Sequence, residues 1–73
     1  MSDKIREKHV LYKENEELYR SDDGRSMGRE NGLDPNGNPI GARWVLRSES
    51  GEFIDFDQYR HDLASRNRLE LEN

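Results

Sequence analysis

The stretch Arg43–Phe56, RWVLRSESGEFIDF, decides how this chain is read. Gly51 suits the left-handed position that closes a three-residue hairpin loop, Glu49-Ser50-Gly51. The register set by that loop pairs Ser48 with Glu52, Arg47 with Phe53, Leu46 with Ile54 and Trp44 with Phe56. Strand side chains alternate with a period of two, so Trp44, Leu46, Ile54 and Phe56 share one face. Val45, Arg47, Phe53 and Asp55 share the other. The first face reads as core, and the second is a mixed, half-wet surface.

Downstream, residues 56–67 read as a helix. Asp55 and Gln58 have the spacing of a capping box, with Asp in the place of Ser or Thr. Ile54 and Tyr59 sit where a hydrophobic staple would place them. Phe56, Tyr59 and Leu63 fall in one narrow arc that would pack on the hairpin, and Asn67 suits a C-terminal cap. The expected fold class is therefore α+β. A small ββα core over residues 42–68 joins a hairpin at 43–56 to a helix at 56–67. The tail at 69–73 alternates like a short strand or frays.

Upstream, residues 1–20 fit two readings. As a helix, Ile5, Tyr12 and Tyr19 recur at i+7 beside Leu11 and Leu18, among strong helix formers. As a hairpin, HVLY and ELYR flank a KENE turn that lacks glycine. The helix is the reading adopted. Residues 21–41, SDDGRSMGRENGLDPNGNPIG, hold five of the six glycines and both prolines. They read as a long flexible loop.

Composition narrows the function classes. The chain has 73 residues, 38% of them charged and 30% hydrophobic, with a formal net charge of −4 and no cysteine. Such a length holds one domain of marginal stability, without disulfides or thiolate metal sites. The apolar runs are far shorter than a membrane span, and a cytoplasmic location without membrane association is expected.

No constellation reads as a reaction centre. Asp34, Asn36 and Asn38 alternate as in a calcium loop, but Pro39 stands where glycine is needed and Val45 where glutamate is needed. Gly24, Gly28 and Gly32 are spaced by four in a polar setting, without the Gly-Lys-Ser/Thr of a phosphate-binding loop. His9 and His61 lie in different segments. Asp57 with His61, and Asp62 with Arg66, read as ordinary i,i+4 helix pairs. No serine has a nucleophile context, and the chain is too short to enclose a substrate. Neither enzymatic activity nor a cofactor or metal is expected.

Two functional readings follow. The first is a small accessory or regulatory protein that acts by protein–protein interaction. Its candidate interface is Val45, Arg47 and Phe53 on the outer hairpin face, with Tyr12 and Tyr19. A homodimer is also open, with Leu69 and Leu71 pairing with a neighbouring chain. The alternative is a nucleic-acid-binding module that uses Arg43, Arg47, Arg60, Arg66 and Arg68. In layout, a sheet followed by a helix is similar to zinc fingers and to the arm-binding domains of tyrosine recombinases, an analogy of fold alone. The Cys and His ligand set of a zinc finger is absent here. Glu49, Glu52, Asp55, Asp57 and Asp62 lie among the same arginines and would weaken phosphate affinity.

Overall fold

The alternation read in Trp44–Leu46 extends over most of the chain. The computed structural model describes residues 8–72. It contains β1 (His9–Asn15), β2 (Leu18–Ser21), β3 (Ser26–Leu33), β4 (Pro39–Arg47), β5 (Phe53–Asp57), α1 (Arg60–Arg66) and β6 (Leu69–Leu71). One sheet holds all six strands in the order β5-β4-β3-β2-β1-β6. β1 to β5 form an antiparallel meander, and α1 carries the chain back so that β6 lies parallel to β1. The sheet curls into a half-barrel. Its inner face and α1 enclose one core of Leu11, Tyr19, Met27, Trp44, Leu46, Leu63, Ala64 and Leu69.

The fold is thus mostly β, and the expected α+β arrangement around a ββα centre is corrected. The N-terminal helix is the first departure. HVLY and ELYR pair instead as a hairpin, with Leu11 opposite Ser21 and Tyr12 opposite Arg20. The turn forms without glycine because the Asn15 side chain accepts the Glu17 N–H at 2.9 Å and the register shifts between Lys13 and Asn15. Ile5 lies outside the described residues. The helical row it would head is not one face in any case, since Tyr12 is exposed and Tyr19 buried. What the helical periodicity cannot register is that β3 and β6 wait on either side of this hairpin, and non-local pairing outweighs local propensity.

The loop expected at 21–41 is the second departure. Its glycines do make turns: Gly24 at φ 96° closes Ser21–Arg25, and Gly37 at φ 87° closes Asp34–Asn38. Between them, SMGRENGL is a full strand held by one large apolar anchor, the fully buried Met27. β3 and β4 stay paired from Ser26↔Arg47 out to Leu33↔Pro39. Among the described residues no strand flanks this hairpin beyond Gly28 and Trp44, and it accounts for the elongated 49 × 23 × 22 Å shape.

The third departure decides the outer surface. The hairpin closes at Gly51 (φ 94°), with Ser48 N–H donating to Glu52 O at 2.8 Å and Arg47 opposite Phe53. The register then shifts between Arg47 and Leu46, so Asp55 and not Ile54 faces Leu46, Phe56 faces Val45 and Asp57 faces Trp44. One extra residue in a strand turns every following side chain to the other side. Phe56 leaves the core face, and Asp55 and Asp57 enter it.

The helix is correspondingly shorter than expected, Arg60–Arg66 and not 56–67. Asp55 makes no capping box: its carboxylate accepts from Arg66 Nε at 3.1 Å and Asn67 Nδ2 at 3.0 Å. Tyr59 occupies the N-cap position without a side-chain cap, its own N–H donating to Asp57 Oδ1 at 2.9 Å. Phe56 and Tyr59 are exposed, leaving Leu63 and Ala64 to anchor the helix. Asn67 is the C-cap, and Arg68 at φ 61° turns the chain into β6, where Leu69 re-enters the core.

Candidate functional site

The outer face of β4–β5 gathers the most unusual surface of the molecule. Phe53 and Phe56 project from β5, 53% and 44% exposed, with ring centroids 6.3 Å apart. Ile54, at the register shift between them, is also exposed. Val45 lies on the same face, flanked in register by Phe56 and Gly28, and is only 3% exposed without joining the main core. An apolar layer therefore exists outside the barrel, and its upper surface is open.

Two arginines border this layer and are held differently. Arg47 is committed within the fold: Nε and Nη2 donate to the two oxygens of Glu30 at 2.8 Å each, and Nη1 donates to Gly51 O at 3.0 Å. This fork holds the Glu30 carboxyl below its ordinary pKa and raises that of Arg47. Arg43 has no such partner among the described residues. Its guanidinium lies 4.3 Å from the Phe56 ring centroid, in cation–π contact. Its Nε is buried and makes no hydrogen bond. Gly32 makes room for it, because a Cβ there would stand 2.5 Å from Arg43 Cζ.

The remaining candidates are dispersed. Tyr12 is exposed on β1, at the far side of the sheet from β5. Tyr19 is buried, edge-on to Trp44 at 6.0 Å. Among the five candidate nucleic-acid contacts, Arg43 and Arg47 lie on the outer face. Arg60 stands 5.8 Å from the Trp44 ring on the helix side. Arg66 bridges Asp55 and Asp57 at 3.1 and 2.9 Å, and Arg68 adjoins β6 at the opposite edge. The five do not share one surface.

Other clusters resolve into local structure. The Asp34 side chain accepts the N–H groups of Asn36 and Asn38 at 2.9 and 2.8 Å, so its oxygens organise a turn. His9 Nδ1 contacts Asp22 at 3.0 Å, and Asp23 is shared with Arg25. Among the described residues no three His, Cys, Asp or Glu side chains gather as a metal site. None of their helices is long and apolar enough to cross a membrane.

Sequence reasoning included Phe53, Val45 and Arg47 in this surface but assigned Phe56 and Ile54 to the core. Glu30 carries no such signal in the sequence, and Gly32 reads there only as one of three glycines spaced by four in a loop. A glycine inside a strand marks a close approach of another group, and Gly32 carried that signal had β3 been recognised as a strand. No protein family, curated protein or solved structure matches the chain.

Proposed function

We propose that this protein is a non-enzymatic binding module that docks on another protein through the outer face of β4–β5. The observation that carries the reading is Arg43. It is a guanidinium stacked on exposed Phe56, beside exposed Phe53 and Ile54, and no carboxylate of the described residues forms an ion pair with it, although its charge helps to lower the Glu30 pKa. The nearby Glu30 is taken by Arg47. Arginine next to aromatic rings is the composition of interface hot spots. The partner that fits presents a carboxylate to Arg43 and apolar side chains to Phe53 and Phe56, as an acidic, apolar peptide segment does.

The test is affinity capture from lysate of the source cells with the wild-type chain and three variants. The reading expects a protein retained by the wild type and by Arg60→Glu, and lost by Arg43→Glu and by the double substitution Phe53→Ala, Phe56→Ala. Retention by the outer-face variants together with loss by Arg60→Glu overturns it.

A further inference from the structure

The β3–β4 hairpin carries three asparagines, each followed by a different backbone environment: Asn31 before Gly32, Asn36 before Gly37 and Asn38 before Pro39. The backbone nitrogen that follows an asparagine can attack its side-chain amide, and glycine hinders the approach least because it has no side chain. Pro39 has no N–H and cannot serve. Asn31 and Gly32 lie in the ladder opposite Ala42 and Gly41, and Gly32 is buried beneath the Arg43 guanidinium. Closing a five-membered ring there means abandoning the extended ψ of about +135° and opening the ladder.

Asn36 and Gly37 stand outside the ladder, in the turn at the hairpin tip. Gly37, at φ 87°, is exposed, and no atom comes within 4 Å of the place a Cβ would take. A single hydrogen bond holds its N–H, to Asp34 O at 2.9 Å. The side chain of exposed Asn36 makes no hydrogen bond among the described residues, its backbone N–H alone being engaged by Asp34 Oδ1. By contrast, the Asn15 amide accepts from the Glu17 N–H, and the Asn67 amide donates to Asp55 and to Leu63 O. A tip without flanking strands opens at lower cost than a paired ladder.

We infer that Asn36 is a site of spontaneous deamidation, independent of the outer face of β4–β5. The Gly37 nitrogen loses its proton and bonds to Asn36 Cγ, and the side-chain nitrogen leaves as ammonia. Water then opens the resulting succinimide. Cleavage between Cγ and the Gly37 nitrogen leaves aspartate at position 36. Cleavage between the Asn36 main-chain carbonyl carbon and that nitrogen leaves isoaspartate, with the chain routed through the side chain. One water enters and one ammonia leaves, and nothing is oxidised or reduced. Either product adds a negative charge near Asp34 in a chain of net charge −4. The isoaspartyl form also lengthens the main chain of the turn by a methylene. No core residue lies in this turn, so the half-barrel is unaffected.

The test is incubation of the full chain at physiological temperature and mildly alkaline pH, sampled over weeks against an unincubated control. Trypsin releases residues 30–43 as one peptide, bounded by Arg29 and Arg43, and fragment masses locate the change within it. The expected result is conversion at Asn36 to both isoaspartate and aspartate, at least about tenfold faster than at Asn31, where the ladder must open first. Asn38 should stay intact. In concentrated guanidinium chloride the rates at Asn36 and Asn31 should come within a few-fold of each other, which assigns the difference to the fold. An Asn36 that persists in the folded chain long after it has converted in denaturant overturns the inference. So do equal rates at Asn31 and Asn36 in the folded chain, a tenfold difference that survives in denaturant, or aspartate formed without isoaspartate.

Discussion

Arg43 lies across Phe56 at 4.3 Å only because Gly32, on the neighbouring strand, has no side chain. A methyl group at position 32 would meet Arg43 Cζ, Nε and Nη1 at 2.5 to 2.9 Å. These atoms are the far end of a flexible side chain, so the arginine moves and the strand does not. Gly32→Ala should therefore keep the fold, with stability within about 1 kcal/mol of wild type, the usual worth of an exposed cation–π contact. It should weaken partner capture as strongly as Arg43→Ala. A thermal melt and a binding assay on the same sample check both halves. An unfolded Gly32→Ala, or one that binds normally, contradicts the geometry.

The acid side of the stability profile follows from four carboxylates. Glu30 is held below its ordinary pKa by the Arg47 fork. Asp55 is lowered by hydrogen bonds from Arg66 and Asn67, and Asp57 by the Tyr59 N–H and Arg66. At Asp23, burial opposes ionisation, but hydrogen bonds from Arg25 and Ser21 outweigh it and the net shift is downward. Depressed values mean that the unfolded chain binds more protons than the folded one once the pH reaches the unfolded carboxylate range near 4. This stabilisation is complete above about pH 5 and is lost as the pH falls through the lowered folded values. Urea midpoints should fall steadily on acidification from about pH 5, and Glu30→Gln should flatten part of the slope. A profile flat down to about pH 2 would contradict these ion pairs.

Arg68 is the only non-glycine with positive φ among the described residues. The left-handed conformation costs an L-residue about 1–2 kcal/mol, part of which glycine gives back through its freedom in the unfolded chain. Arg68→Gly should raise stability by up to about 1 kcal/mol, read as a higher melting temperature. A drop would mean that the Arg68 side chain contributes more than the turn costs.

Leu63 attaches α1 to the sheet and is fully buried. Leu→Ala at such a site costs about 2–5 kcal/mol, against a total of about 3–5 kcal/mol that one core supplies at this chain length. A helix of seven residues does not stand alone. Leu63→Ala should leave most of the protein unfolded at room temperature by amide spectral dispersion. A cooperative melt only a few degrees below wild type would show that α1 is not an integral layer.

Legibility in the sequence followed the range of the physics involved. The loop at Gly51 was readable because its requirement, a left-handed residue three positions after Ser48, is local. Trp44 and Leu46 were readable as a core face because they alternate beside that loop. The register shift after Arg47 was not, since nothing in FIDF distinguishes Ile54 as the extra residue. That shift alone moved Phe56 from the expected core to the candidate site. β3 was hidden for a different reason. Gly28, Arg29, Glu30, Asn31 and Gly32 are poor strand formers, and β4 supplies what holds them in a strand. Arg43 became conspicuous only once Gly32 was placed beneath it and Glu30 was seen to be engaged by Arg47.

The most direct test of the docking face is site-specific photo-crosslinking in living cells. A photoreactive phenylalanine analogue replaces Phe53, Phe56, Tyr12 or Tyr59 in turn, all four being exposed. One protein adduct is expected from positions 53 and 56, disappearing when Arg43→Glu is added, and none from positions 12 and 59. Adducts from position 12 or 59 with none from 53 and 56, or crosslinks from 53 and 56 to nucleic acid, would contradict it.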